Sequence, residues 1–166
     1  QVAATTISGG NGVLLVDLGA SLGMTFPAYG ADTQARLAKA LPKLGTTANP
    51  TDVTNAAIGH PEMFRRCVEA ITADENVDVM IPIFTLSVAS DVRQAADAAK
   101  TAAKPVAILW TGACNDDPAF TAKSLAQEGV PVYRNTLSCL KAVRAAMRYG
   151  EFLRHSNAPA SLRPAG

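Results

Sequence analysis

The chain reads as an α/β domain: an open, doubly wound, mainly parallel five-stranded sheet with helices on both faces. Short apolar or β-branched runs alternate with helical patterns from end to end. Right-handed crossovers turn such an alternation into a parallel sheet. The run Pro105-Val-Ala-Ile-Leu-Trp110 is unbroken by any polar residue, as expected of a strand buried on both faces.

The first strand is Val2 to Ile7, ending at the turn Ser8-Gly9-Gly10-Asn11-Gly12. A helix starting at Asn11 or Gly12 and running to Leu22 is apolar nearly all round, with a polar sliver at Asp17 and Ser21. Such a helix is covered on both sides, by its own neighbours or by a second domain or subunit. Met24-Thr-Phe26 predicts a short second strand, and Asp32 the N-cap of a helix that Pro42 ends after Leu41. Asn49-Pro-Thr-Asp-Val-Thr54 has the residue types of an ordered loop whose side chains bond their own backbone.

Pro61 suits a first helical position, and Phe64, Cys67, Val68 and Ile71 recur at helical spacing after it. Val77 to Phe84 is a strand by composition, although Pro82 lacks a ladder donor and argues for an edge or an irregular end. An Ala-rich helix over 89–103, the strand 105–110, a loop Thr111 to Asn115 and a helix over 118–128 stopped by Gly129 follow. Val130 to Tyr133 is the last strand. Thr136 can cap the final helix, whose core stripe is Leu137, Leu140, Val143 and Met147, with Lys141, Arg144 and Arg148 outward.

The 166 residues suffice for one domain with a proper core. With 48% hydrophobic residues, 17% charged and a net charge of +1, the chain lacks the basic field that favours nucleic acid or an anionic membrane surface. Cys67, Cys114 and Cys139, odd in number and unrelated in spacing, fit reduced thiols in a cytoplasmic protein rather than a disulfide frame or zinc site. No apolar run approaches a membrane span in length. The start at Gln1 directly before a strand, and the Pro/Ala-rich stretch over 154–166, suggest a domain over 1–153 and a linker or tail, cut from a longer protein.

In such a sheet ligands gather beyond the carboxyl ends of the strands. The Ser8–Gly12 turn lies there, before a helix whose first N–H groups have no partner and whose dipole favours an anion. Glycine at 9, 10 and 12 lets a phosphoryl group approach the backbone. The turn fits neither the GxGxxG nor the Walker pattern. Asn49, Asp52, Thr54, Thr85, Ser87, Asn115 and Asn135 are expected on the same edge. No metal cluster, GxSxG elbow or paired carboxylates accompany them, so no catalytic residue is assigned. His60 reads as helix-start packing and His155 as solvated. Cys114 reads as a loop thiol without an adjacent base, Asp116 and Asp117 as helix N-terminal charges, and Trp110 as core.

With the loops placed, the chain resembles the succinyl-CoA-synthetase-like flavodoxin domain of the nucleoside-diphosphate-forming acyl-CoA synthetases. The residues that carry the resemblance are Thr6-Ile-Ser-Gly-Gly10 with Gly12, Leu41-Pro42, Asn49-Pro50 with Asp52, and Val77-Asp78. Lys104-Pro-Val106 and Glu128-Gly-Val-Pro131 complete it, over about residues 1 to 150. The resemblance implies a flavodoxin-like fold within an acid-thiol ligase that uses CoA, ATP/ADP and Mg as substrates, with no cofactor tightly bound to this domain. It implies a helix terminus at Ser8, Gly9, Gly10, Asn11 and Gly12, supported by Asn49 and Asp52, facing a phosphohistidine. That histidine and the nucleotide would come from partner portions, a CoA-binding domain and an ATP-grasp domain. The family's histidine segment is absent here, so His60 does not inherit its role. A flavin- or nucleotide-binding module and a non-catalytic interaction domain are the other readings.

Overall fold

A computed structural model of the protein describes residues 1–114 and 116–156. Asn115, the side chains of Leu86 and Cys114 and residues 157–166 of the expected tail lie outside the described residues. The elements are β1 (Val2–Thr6), α1 (Gly9–Ser21), α2 (Ala31–Ala40), β2 (Thr51–Asp52), a 3-10 turn (Asn55–Ala57), α3 (Pro61–Thr72) and β3 (Val79–Ser87). They continue with α4 (Ala89–Thr101), β4 (Ile108–Cys114), α5 (Ala122–Gln127), β5 (Val132–Tyr133) and α6 (Thr136–Ser156). The sheet is all parallel, in the order β2-β1-β3-β4-β5, a flavodoxin-like doubly wound arrangement.

Side chains alternate between two cores, as the period of a strand requires. Ala3, Met80, Phe84, Ile108 and Trp110 face Leu37, Phe64, Ile71, Val92 and Leu125 from α2 to α5. Val2, Ala4, Ile81, Ile83 and Leu109 face Leu15 of α1 and Leu140 and Val143 of α6. The helix after β1 thus covers one face and the helix after β3 the other, which puts the topological switch point between those strands. On its outer side α1 leaves Val13 and Leu14 exposed. Cys67 and Cys139 are core residues, their thiols pushed up to about 12 by burial.

Five strands are present, but one is not where composition predicts it. Met24–Phe26 forms no strand: Val2 N–H donates once to the Thr25 carbonyl, at 2.8 Å, and Phe26 packs instead on α1. A β-carbon at Gly19 would come within 2.7 Å of the Phe26 ring. The second strand is Thr51–Asp52, inside the expected loop, paired with Thr5 and Thr6. Above it the Asn49 side chain acts as a strand would. Its Oδ1 accepts from the Ala4 N–H at 3.1 Å and its Nδ2 donates to the Val2 carbonyl at 2.9 Å.

Pro82 lies in the central strand, not at an edge. Met80 exchanges hydrogen bonds with Pro105 and Ala107, so by alternation Pro82 also faces β4. Its missing N–H falls in the gap between the isolated Met80–Val106 bridge and the ladder that opens at Ile83–Leu109. Further on, Thr85 stands opposite both Thr111 and Gly112 in a bulge. A β-carbon at Gly112 would lie 1.7 Å from the Thr85 carbonyl oxygen, so only glycine fits.

Three caps also differ from expectation. Gly30, not Asp32, precedes α2. Asn135 Oδ1 accepts from the Ser138 N–H at 3.0 Å and so caps α6 in place of Thr136. The helix expected from 118 starts at Ala122, where Thr121 and Ser124 form a capping box. Asp116 serves a different helix: its Oδ1 accepts from the Ala89 N–H of α4 at 2.8 Å. The last helix runs on to Ser156, three residues into the stretch read as linker.

Candidate functional site

The Ser8–Gly12 turn is set by Thr6 at the end of β1. Its hydroxyl donates to the Ser8 carbonyl at 2.8 Å and accepts from the Ser8 N–H at 3.0 Å, which bends the chain sharply out of the sheet. Ser8 is the N-cap in extended geometry, and its side chain makes no capping bond. The helix starts two to three residues earlier than its sequence suggests, at Gly9. The N–H groups of Asn11 and Gly12 already donate to the Ser8 carbonyl, at 3.0 and 3.3 Å.

That start changes which donors are free. Among the described residues nothing accepts from the amides of Gly9 and Gly10, both exposed, and no acidic residue stands in the first turn of α1. Gly12 is buried, and its role is steric toward the protein itself. A β-carbon there would meet Thr6 Cγ2 at 3.3 Å and Pro50 Cβ at 3.5 Å. At Gly10 the nearest atom would be Ser8 Oγ at 4.0 Å, so that position opens to solvent.

Beside the turn a cavity of about 410 Å³ runs along α1 against the 46–52 segment. Its walls include Gly9, Gly12, Val13 and Phe26, with two carboxylates, Asp17 and Asp52. Those charges oppose an anion in the groove, so an anion suits only the exposed tip at Gly9 and Gly10. Asp52 braces the adjoining loop: its Oδ1 accepts from the N–H of Thr54 at 2.8 Å. Thr54 has a φ of 61°, unusual for a β-branched residue, and its Oγ1 accepts from the Ala56 N–H at 3.2 Å.

Of the other residues expected on this edge, few converge on the turn. The Asn49 amide is spent on Val2, Ala4 and Pro27 along the flank of β1, with Tyr29 hydroxyl 3.3 Å from its Oδ1. It supports the strand that carries the turn and offers nothing to a ligand. Thr85 and Ser87 belong to β3, and Ser87 is 1% exposed with no hydrogen-bond partner for its hydroxyl among the described residues. His60 is exposed at the start of α3, next to Gly59, whose N–H donates to Asp91 Oδ2 at 2.9 Å. Burial raises the Asp91 carboxyl above its usual range, and the nearby His60 partly offsets that. Thr6 and Asp17 are residues of the site to which sequence reasoning gave no part in it. The Thr-x-Ser spacing at the end of the strand could have marked the first. Among the described residues no group of His, Cys, Asp and Glu is placed to hold a metal ion, and no helix is long and apolar enough to cross a membrane.

Fold and turn together define a flavodoxin-like domain that presents a helix N-terminus at the carboxyl edge of its sheet. No protein-family model matches the chain. It is 26% identical over 151 residues to an ADP-forming acetate–CoA ligase of Archaeoglobus fulgidus, covering 91% of this chain. The chain spans 21% of the length of that relative. A protein of Pyrococcus horikoshii superposes with a TM-score of 0.74 at 25% identity, over 86% of this chain and 34% of its own. The dinucleotide-forming acetyl-coenzyme A synthetase 1 of Ca. Korarchaeum cryptofilum superposes in its apo form with a TM-score of 0.77 at 21% identity. That match covers 96% of this chain and 36% of the synthetase. The same synthetase in complex with phosphate and ADP gives the same score. The chain is thus similar in sequence to one segment of an ADP-forming acetate–CoA ligase and shares its fold with part of an acetyl-coenzyme A synthetase.

Proposed function

We propose that the chain is the helix-donating domain of an NDP-forming acyl-CoA synthetase, in which acid, CoA and ATP give acyl-CoA, ADP and phosphate through a phosphohistidine. The phosphohistidine belongs to a CoA-binding portion and the nucleotide to an ATP-grasp portion, in the same protein or a partner subunit. Mg accompanies the nucleotide as substrate. The observation that carries this reading is the pair of exposed, unpartnered amides of Gly9 and Gly10 heading a 13-residue helix. Backbone donors and a helix dipole stabilise a phosphoryl dianion without proton chemistry. The phosphate and ADP complex recorded for the related synthetase is consistent with it.

The test uses the open position. In the whole enzyme, Gly10→Val places a side chain where the phosphoryl group would sit, on a β-carbon whose nearest side-chain neighbour is Ser8 Oγ at 4.0 Å. Phosphoryl transfer to and from the histidine should fall at least about tenfold, the loss expected when charge-stabilising donors are blocked. Wild-type transfer rates in a folded Gly10→Val enzyme would sink the proposal.

A further inference from the structure

We propose that the outward flank of α6 is a docking seam for an acidic amphipathic helix of a partner chain. The helix is held to the sheet by Cys139, Leu140 and Val143, and beyond Met147 none of its residues is buried. On the side away from that core, Ser138, Ala142, Ala145, Tyr149 and Phe152 recur at spacings of four, three, four and three, the alternation of a helix–helix seam. Tyr149 and Phe152 are 62% and 63% exposed, and Leu153 beside them 39%. No other stretch of the described residues exposes three large apolar side chains so close together. The small side chains at the first three positions let a second helix come near, and the two rings beyond them supply contact area.

Charge decides what the seam accepts. Lys141 and Arg148 directly precede Ala142 and Tyr149 and so flank the seam along one side, with Arg144 a turn from each. All three are exposed, and none forms an ion pair among the described residues. The only acid of α6, Glu151, stands two residues from Tyr149 and therefore faces the opposite side of the helix. It lies there with Asp78 and Arg154, so Lys141, Arg144, Arg148 and Arg154 outnumber the acids near them. A helix that fits this flank brings apolar residues to the seam and Asp or Glu beside them. Residues 157–166 do not supply it, since they hold no acid and add Arg163. A second copy of α6 would bring the same cations and no acid beside its own seam. A lipid surface gains nothing from small residues at three seam positions, whereas a helix backbone does.

The seam shares no residue with the glycine turn, so it stands or falls independently of the proposed phosphoryl role. The probe is a fluorescein-labelled synthetic helix of about four heptads, with Leu at the seam positions and Glu beside them. Titrated with the intact chain, it should show a saturable rise in fluorescence anisotropy. The same peptide with Lys in place of Glu should bind about tenfold more weakly or not at all. Lys141→Glu combined with Arg148→Glu should reverse that preference. Phe152→Ser should weaken the Glu peptide about tenfold. These side chains are exposed, so the thermal unfolding midpoints should stay at the wild-type value, which separates lost docking from a lost fold. Gly10→Val should leave peptide binding intact. A folded chain that gives no saturable response overturns the proposal. So does equal binding of the two peptides, an unreversed preference in the double variant, or wild-type binding by Phe152→Ser. A dimer in sedimentation equilibrium that Phe152→Ser dissolves would give the seam to a second copy, and binding to phosphatidylserine-containing vesicles that Phe152→Ser abolishes would give it to a membrane. Either result overturns the proposal as well.

Discussion

Asp52 stands over Gly9: a β-carbon on Gly9 would lie 3.3 Å from the carboxylate Oδ2. A negative charge is thus held beside Gly9, one of the two residues whose amides would receive a phosphoryl group. The carboxylate is there because its other oxygen holds the Thr54 amide in place. Asp52→Asn keeps that acceptor and removes the charge. A charge at this range, exposed to bulk water, is worth about 1 kcal/mol, so the variant should bind inorganic phosphate at least about fivefold more tightly. Chemical-shift titration of the Gly9 and Gly10 amides measures it. Asp52→Ala should instead lose about 1 kcal/mol of stability with the Thr54 bond. Unchanged or weaker phosphate binding in Asp52→Asn would show that Asp52 does not face the anion.

Gly10 and Gly19 sit on the same helix and should respond to alanine with opposite signs. Both gain helix propensity, up to about 1 kcal/mol. At Gly10 the added methyl meets open space. At Gly19 it would lie 2.7 Å from Phe26 Cε2 and Cζ, and displacing that ring costs about 1–3 kcal/mol. Urea midpoints should therefore rise in Gly10→Ala and fall in Gly19→Ala. A rise in both would mean that Phe26 moves aside freely.

These residues also show which parts of the molecule are legible in one sequence. The fold class and the helices of both layers follow from periodicity, because Phe64, Cys67, Val68 and Ile71 announce a buried face wherever the sheet lies. The second strand does not. Asn-Pro-Thr-Asp has the composition of a loop, and Thr51 and Asp52 become a strand only because β1 offers them an edge. Pro82 misleads for the reverse reason: the sheet accommodates one missing donor by opening a gap in the ladder beside it. At the site, the glycine turn is visible as a pattern, but which glycine serves the ligand and which serves packing is not. Gly12 is required by Thr6 and Pro50, and Pro50 lies far along the chain. Asn49 is misread in the same way, since nothing in its neighbours reveals that its amide is spent on the edge of β1.

Asp74 should stabilise the fold at neutral pH and cease to do so in acid. Burial opposes its charge, but the Thr33 hydroxyl, the amides of Asn76 and Gly30, and the Lys104 charge together hold its carboxyl below the usual range. The Gly30 and Asn76 amides each donate to it at 2.8 Å. A carboxylate whose pKa is depressed by folding contributes stability that is full above the unfolded value and lost as pH falls through the folded one. Asp74→Asn should cost about 1–3 kcal/mol at neutral pH, with the gap to wild type narrowing below the ordinary carboxylate pKa. Urea unfolding across that range decides it, and a gap that stays constant would mean that packing alone accounts for the loss.

Asp91 should show the opposite slope. Burial lifts its carboxyl above the usual range, the Gly59 amide and His60 offset part of that, and the Asp116 charge adds to it. One of its oxygens, Oδ1, has no hydrogen-bond partner among the described residues. When folding raises a carboxyl pKa, the unfolded chain releases the proton first. Stability is then greatest below the unfolded value, falls as pH climbs from there to the folded value, and is level above it. Asp91→Asn leaves a carbonyl oxygen for the Gly59 amide and removes the titrating proton. Wild type should therefore lose ground to Asp91→Asn as pH rises through the carboxylate range. The helix dipole of α4 adds a constant term that favours the charged residue, so the diagnostic is the trend with pH and not the difference at one pH. If the difference between the two proteins is flat from acid to neutral pH, or runs in the Asp74 direction, the buried carboxyl at the head of α4 is not titrating as its surroundings require.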